Sequence, residues 1–392
     1  MNQMMSHSSN LSSNADPITF GIIGSGWRTE FYLRIAKALP QRFRVYGVVT
    51  RTEERGKEVE AAWGVPTFRT IEEMLNQDRS EGSPIPLDFV VVSVPWPVAP
   101  GTIQELATRS IPVLTETPPA PDLAGLIALN KFAATTPGAI IQVAEQYHLQ
   151  PLHAARIALV NSGKLGEISQ VQLSVCHGYH GISLIRKLLG IDYENAEISA
   201  IETRTPIMAG SDRNGPPQAE RMTESRQVIA QIRFSTDKSD SDREKADDKL
   251  AIFDFSDDQY FSWIRGQRLL VRGSHGEMID KTVRYLKDYR TPITADLHRE
   301  NAGEDGNLEG FYLKGILLGE EWLYHNPTIP GRLTDDEIAI ADCLIRMHEH
   351  VHGGPSFYSL AEASQDHYLS LMMAEAVRTG GKVLTETQPW KK

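Results

Sequence analysis

From Ile18 onward the chain alternates short, uninterrupted apolar runs with stretches of helical periodicity. The order is ITFGIIG, a helix from Thr29 to Leu39, RVYGVVT, a helix from Glu53 to Trp63 and a short helix from Ile71 to Asn76. DFVVVSV, a helix from Gly101 to Arg109, PVLTE, a helix from Leu123 to Thr135 and AIIQVAE complete the series. Strands that are apolar at every position are buried on both faces, and strands separated by helices form a parallel sheet, so residues 17–150 are expected to be an α/β doubly wound domain of Rossmann type. In such a domain ligands bind at the C-terminal ends of the strands, which makes the loops after the strands the place to look for chemistry.

After Gln150 the rhythm changes. A helix from Leu152 to Ser162, the strand EISQVQLSV and a helix from Gly181 to Leu189 lead into ISAIETRTPI, RQVIAQIRF, KLAIFDFS, QYFSWIR and QRLLVRGS. These runs alternate apolar with polar positions, which predicts strands with one face less buried and therefore a largely antiparallel open sheet. Residues 151–392 are read as a C-terminal α+β domain serving substrate binding and oligomerisation. Two helices close it, Asp335 to His350 and Leu360 to Arg378, the second followed by Gly380 and Gly381 as a stop signal. The segment STDKSDSDREKADDK has no side chain able to repay its ordering entropy, so a flexible hairpin tip is expected across 236–250. Residues 1–16 are Ser/Asn-rich, without the basic start and apolar centre of a signal peptide, and read as a disordered tail.

Composition narrows the function classes. A formal net charge of -11 disfavours nucleic acid, which needs a basic face. No apolar run reaches the roughly 18 residues of a membrane span. The two cysteines, Cys176 and Cys343, are far apart and form no CxxC pair, which argues against a disulfide framework or a structural zinc site and fits a reducing compartment such as the cytoplasm.

The most informative chemistry follows the first strand, where Gly24-Ser25-Gly26 leads straight into a helix. Gly24 permits the tight turn, and Gly26 lets the backbone approach a pyrophosphate held by the helix's free N–H groups and positive end. Trp27 and Arg28 fall in the same turn. The third position of the G-x-G-x-x-G pattern is Thr29, a departure expected to loosen helix-to-strand contact while sparing phosphate binding. At the end of the second strand, Thr50 and Arg51 stand where an acid would bind the adenosine ribose. The missing carboxylate and the added guanidinium favour NADP over NAD.

Beyond this turn, VVVSVPWP, with Pro95 and Trp96, and PVLTETPPA, with Glu116 and Thr117, resemble loops of the glucose-fructose oxidoreductase / inositol dehydrogenase / MocA (Gfo/Idh/MocA) family. AEQYHLQPLHAARIALVNSGKLGEISQV, RLLVRGSHGEMI and SLAEASQDHYLSLMMAEAVRTGGKV extend the likeness from about Ile18 to Val383. The resemblance implies a nicotinamide cofactor, NADP or NAD, and hydride transfer to or from a carbohydrate or polyol carbon. It also implies a homo-oligomer, dimer or tetramer, built on the open sheet. The family's Glu-Lys-Pro lysine is Thr117 here, and the aspartate of its Asp-x-x-x-His pair is Cys176, while His180 matches the histidine. An imidazole titrating near neutrality suits removal of a hydroxyl proton, so His180 is the candidate acid/base, with His177 and Tyr147 as further candidates.

Loss of the lysine leaves two other readings open, a redox-recycling NAD-dependent glycosidase and a dinucleotide-binding protein without catalysis. His348, His350 and His352 occupy alternate positions near a helix C-terminus and are read as dipole partners, not metal ligands. Asp335 and Asp336 open that helix after Thr334 and are read as capping and dipole partners without a catalytic role.

Overall fold

The computed structural model describes residues 16–77, 87–213, 215–234, 248–302 and 312–391. The N-terminal domain is built from β1 (Ile18–Ile23), α1 (Thr29–Ala38), β2 (Phe43–Val49), α2 (Glu53–Trp63), β3 (Thr67–Phe68), α3 (Ile71–Asn76) and β4 (Phe89–Val92). It continues with α4 (Ala99–Thr108), β5 (Val113–Thr115), α5 (Leu123–Thr135) and β6 (Ile141–Val143). Its six strands are parallel in the order β3-β2-β1-β4-β5-β6, the doubly wound arrangement expected from the apolar runs. Both faces are covered. Phe89 and Val91 of β4 join the core under α1, while Val90 and Val92 face the core under α3 and α4. The strand order reverses between β1 and β4, and there the C-terminal ends open into a crevice.

The rest of the chain contributes α6 (Pro151–Asn161), β7 (Ile168–Ser174), α7 (Gly178–Leu189), β8 (Ala196–Met208), β9 (Met222–Phe234) and β10 (Lys249–Ser256). Next come β11 (Arg268–Gly273), β12 (Gly276–Ile279), β13 (Thr282–Asp288), β14 (Thr291–Ala302), β15 (Tyr312–Leu318) and β16 (Glu321–His325). The chain ends with α8 (Asp335–Val351), α9 (Leu360–Thr379) and β17 (Val383–Leu384). The sheet has eleven strands in the order β16-β15-β14-β13-β12-β11-β7-β10-β9-β8-β17, antiparallel except where β10 pairs with β7. Its core is closed on one side by α6, α7 and α9.

Several sequence expectations need correction. QYFSWIR is not a strand. A 3-10 turn occupies Asp257–Tyr260, because Ser256 and Gln259 form a reciprocal capping box and the buried Gln259 amide donates to the Gly266 carbonyl at 2.8 Å. Lys249 and Leu250, expected in a flexible tip, pair in β10 with Phe234 and Arg233; residues 236–247 of that expectation lie outside the described residues, as do residues 1–15 of the expected tail. α7 begins three residues earlier than expected, at Gly178 with φ +38, which leaves Cys176 outside the helix.

One feature of α8 decides how the site is built. It is sequence-distant from the parallel sheet, yet its Ile340, Leu344 and Met347 are buried in the core that holds Phe20 and Phe89. The returning helix therefore supplies a wall to the crevice. α7 is fixed from behind by a buried ion pair, Arg186 Nη1 to Asp366 Oδ1 of α9 at 2.5 Å, with Tyr358 bonded to both Ser183 and Asp366. A charge pair this deeply buried resists separation, since either partner left alone would be an unpaired charge in low dielectric.

Candidate active site

Gly24 has φ +107, and a Cβ there would collide with the Ser93 carbonyl oxygen, so glycine is required where the turn after β1 passes the loop after β4. Around Gly26 there is nothing within 4 Å of the position a Cβ would take. No side chain caps the N-terminus of α1. Open space in front of an uncapped helix end fits an anionic pyrophosphate. Thr29 does not loosen the packing as its departure from glycine predicts: it is buried, and its hydroxyl donates to the Gly24 carbonyl at 3.0 Å, tying the helix to the turn.

The ends of β1, β2, β4 and β5 line one cleft of ≈ 1130 Å³, larger than the roughly 300–1,000 Å³ of ordinary small-molecule sites and consistent with room for an extended dinucleotide beside a substrate. Gly24, Ser25, Gly26, Trp27, Arg28, Thr50, Arg51, Pro95, Trp96, Glu116 and Thr117 all line it, and so do His180, His177 and Tyr147. The structure thus brings every candidate residue to one cavity. Cys176 is fully buried and does not line it, and burial pushes its thiol well up from the ordinary range.

At the ribose end, Arg69 also lines the cleft, donating to the backbone carbonyl of Thr50 at 3.0 Å and to the Thr50 hydroxyl. Arg55 donates to the Ser25 carbonyl at 2.8 Å. Arg51 and Arg69 thus line the cleft where an acid would meet the ribose hydroxyls, while Arg55, paired with Glu58 at 2.8 Å, braces the turn. Arg55 and Arg69 were not among the sequence candidates, since neither is adjacent to the turn in sequence.

At the other end, His180 Nδ1 stands 2.6 Å from Glu145 Oε2, the histidine 7% exposed and the glutamate 1%. Glu145 follows β6, and its other oxygen accepts the Tyr147 backbone N–H at 3.1 Å. Burial pushes the Glu145 carboxyl up to about 8, against the opposing pull of the Tyr147 N–H and the Arg28 charge. Burial, aided by Arg28, pulls His180 down to about 3. Both shifts have one cause: low dielectric disfavours a separate charge on either group, so the two hold their proton as a unit. A carboxylate thus meets this histidine across the domain junction.

The rings of Tyr147, His177 and Tyr179 surround His180, with centroids 4.5, 5.0 and 4.5 Å away. The Tyr147 hydroxyl bonds to Tyr260, whose own hydroxyl accepts the His177 backbone N–H at 3.0 Å. Burial raises the Tyr147 phenol well above its usual range and pulls His177 down to about 4, so at neutral pH both are uncharged. Tyr260 and Phe261 come from the turn read as a strand.

Arg28 is occupied. Its Nε meets Glu116 at 3.0 Å and its Nη1 meets Asp336 of α8 at 3.1 Å, while Tyr32 donates to Glu116 at 2.5 Å. The carboxylates hold the Arg28 guanidinium charged despite its burial. Asp336 also accepts from Gln146 at 3.3 Å and Gln150 at 3.1 Å and lines the cleft. It is therefore more than a dipole partner, whereas Asp335 faces away to Arg299 at 2.6 Å and capping falls to Thr334 with Glu337. Over the mouth, Arg213 from the second domain lies 4.2 Å from the Trp27 ring centroid. Among the described residues no helix is long and apolar enough to cross a membrane.

Residues 18–145 match the model of the oxidoreductase family with an NAD-binding Rossmann fold, Gfo/Idh/MocA. No curated protein sequence matches the chain. Among solved structures, an oxidoreductase from Sinorhizobium meliloti superposes with a TM-score of 0.65 at 15% identity, covering 95% of this chain and 100% of that one. A levoglucosan dehydrogenase in complex with NADH and levoglucosan gives 0.65 at 14% identity over 95% and 100% of the two chains. An oxidoreductase from Agrobacterium radiobacter, in complex with NAD+, L-tartaric acid and magnesium, gives 0.62 at 14% over 93% and 98%. Residues 18–145 thus match the NAD-binding Rossmann domain of the Gfo/Idh/MocA oxidoreductase family, and the chain shares its fold along nearly its whole length with these oxidoreductases.

Proposed function

We propose that this protein is an NAD(P)-dependent oxidoreductase that moves a hydride between a nicotinamide and a carbon bearing a sugar- or polyol-like hydroxyl, with His180 as acid and base. The observation that carries the reading is the buried Glu145–His180 pair on the wall of the cleft that the glycine turn opens into. The carbohydrate class draws support from the levoglucosan complex of a protein with the same fold.

Gly24 and Gly26 with the first turn of α1 would hold the pyrophosphate; Thr50, Arg51 and Arg69 would meet the adenosine ribose; Pro95, Trp96, Glu116 and Thr117 would line the nicotinamide end. When bound, the nicotinamide supplies the hydride acceptor or donor. With Nδ1 engaged by Glu145, Nε2 of His180 is the nitrogen left to exchange a proton with the substrate oxygen. Glu145 fixes the ring and takes up the Nδ1 proton when Nε2 becomes protonated, so no isolated charge builds up in the buried pair. Arg28 brings a permanent positive charge to the cleft wall beside Thr117 and in our reading takes over the polarising role of the absent lysine. Tyr147, His177 and Tyr179 frame the substrate around that ring. Arg51 and Arg69, both on the cleft wall, favour the 2′-phosphate of NADP.

The same reading extends to assembly as a homo-oligomer, for which β8, β12 and β13 offer exposed Ile201, Ile279 and Leu286. The functional test is hydride transfer: purified protein with NADP or NAD and a panel of sugars and polyols, anhydro-sugars and inositols included, followed by nicotinamide absorbance. Turnover is expected with at least one, and His180→Ala should lower kcat by about 10²–10⁴-fold while dinucleotide still binds. Unchanged turnover in His180→Ala would remove the histidine from the chemistry.

A further inference from the structure

At the N-terminal ends of the central strands β1 and β4, opposite the cleft, Asp88, His348 and His352 form a compact group with one ligand atom from each, all within 4.8 Å of one another. Asp88 directly precedes β4, and the histidines lie at the C-terminal end of α8. His348 and His352 are four residues apart, so they stand on the same helix face; their ring centroids are 4.2 Å apart. The intervening His350 belongs to another face and is engaged with the Gly354 carbonyl at 3.1 Å. Alternate spacing separates His350 from its neighbours but does not separate the outer two.

Each member is oriented. The Asp88 Oδ2 accepts the Thr19 backbone N–H at 2.8 Å, and its own N–H donates to the Thr19 carbonyl at 2.7 Å, so the carboxylate is anchored to β1 with Oδ1 turned to the histidines. His352 Nδ1 is 2.8 Å from the His348 carbonyl oxygen, which makes that nitrogen the N–H donor and leaves a lone pair on Nε2, 4.0 Å from Asp88 Oδ1. A backbone carbonyl accepting the second ring N–H is the usual support of a metal-bound histidine. His348 Nδ1 is shielded from water and faces Asp88 Oδ1 at 3.3 Å.

We propose that Asp88 Oδ1, His348 Nδ1 and His352 Nε2 bind a divalent transition-metal ion of the zinc class. Two imidazoles and a carboxylate are borderline ligands suited to Zn²⁺, with water completing a tetrahedron. A tetrahedral ion with bonds near 2.0–2.1 Å holds its donors about 3.4 Å apart, so His352 swings inward by side-chain rotation. Its side chain is 57% exposed, which leaves that rotation unhindered. The ion would clip the last turn of α8 to the bases of β4 and β1, holding the returning helix on the nucleotide-binding domain. Lying at the strand ends opposite the cleft, it should affect stability and not turnover.

The test is a calorimetric titration of Zn²⁺ into chelator-treated full-length protein, with melting temperature read with and without the ion. One Zn²⁺ per chain should bind and raise the melting temperature. His352→Ala, at an exposed position that leaves folding intact, should weaken binding at least tenfold and abolish the thermal shift, while His350→Ala should leave both unchanged. Co²⁺ in place of Zn²⁺ should give the visible absorption of a tetrahedral site. No heat from Zn²⁺, or equal binding by wild type and His352→Ala, would overturn the site.

Discussion

At the scale of single residues, the proposed chemistry turns on the Glu145–His180 pair, whose shared proton would set the direction in which the site works best. In the proposed mechanism, a Glu145 carboxyl protonated below about 8 would donate to Nδ1, so the imidazole would present Nε2–H and act as an acid toward a carbonyl oxygen. Above that value the carboxylate would accept from Nδ1–H and Nε2 would be free to take a hydroxyl proton. Alcohol oxidation should therefore rise with pH through about 8 and carbonyl reduction should fall over the same interval. Glu145→Gln has no ionisation to couple; initial rates measured across pH should show the step near 8 removed and kcat lowered about ten- to hundredfold. A step of unchanged position in the variant would assign it to another group. In the sequence His180 is legible as a candidate, since the resemblance places a histidine there. Glu145 is not, because it lies 35 positions away and meets the histidine only across the domain junction. Its one local signal is an acid placed directly after a buried strand, on a loop that the sheet topology directs to the crevice.

At the scale of elements, the strand–turn–helix from Ile18 to Ala38 was readable because each part is local: an apolar run, glycines at the turn and an amphipathic helix. Gly26→Ala tests the turn cleanly, since the added methyl meets no protein atom. Its fold and melting temperature should stay near wild type while dinucleotide affinity drops at least about tenfold, or about 1.4 kcal/mol, in a fluorescence titration. Equal affinity would mean that phosphate does not approach that backbone. Other elements resisted reading for physical reasons. QYFSWIR alternates as a strand does, but the decisive interaction is a buried Gln259 reaching Ser174 and Gly266, contacts that periodicity does not encode. β13 and β14 each bury a single residue, Val283 and Leu297, so the apolar signal that marks a strand is thin there. α8 was legible as a helix, but its destination was not. Leu344, fully buried against the parallel sheet, measures that docking: Leu344→Ala should cost about 2–5 kcal/mol in urea unfolding. A loss under about 1 kcal/mol, the range of a surface change, would contradict the packing.

At the scale of the whole molecule, the crevice belongs to neither domain alone. The parallel sheet supplies the glycine turn, Arg28, Glu116 and Glu145; α7 supplies His180; Arg213, Tyr260 and Phe261 come from the large sheet's connections; and α8 returns with Asp336. The fold class was legible because layer architecture follows from the alternation of patterns along the chain. The assembly of the site was not, because it depends on long-range pairs such as Arg28 with Asp336, 308 positions apart. This composite construction brings a carboxylate, Glu145, against the histidine from the other side of the domain junction. The most direct test of the account is a calorimetric titration of the full-length protein with NADPH and with NADH. It predicts one dinucleotide per chain with NADPH bound more tightly, since Arg51 and Arg69 line the cleft at the expected ribose position. Absence of heat with both nucleotides, on protein shown to be folded, would contradict it.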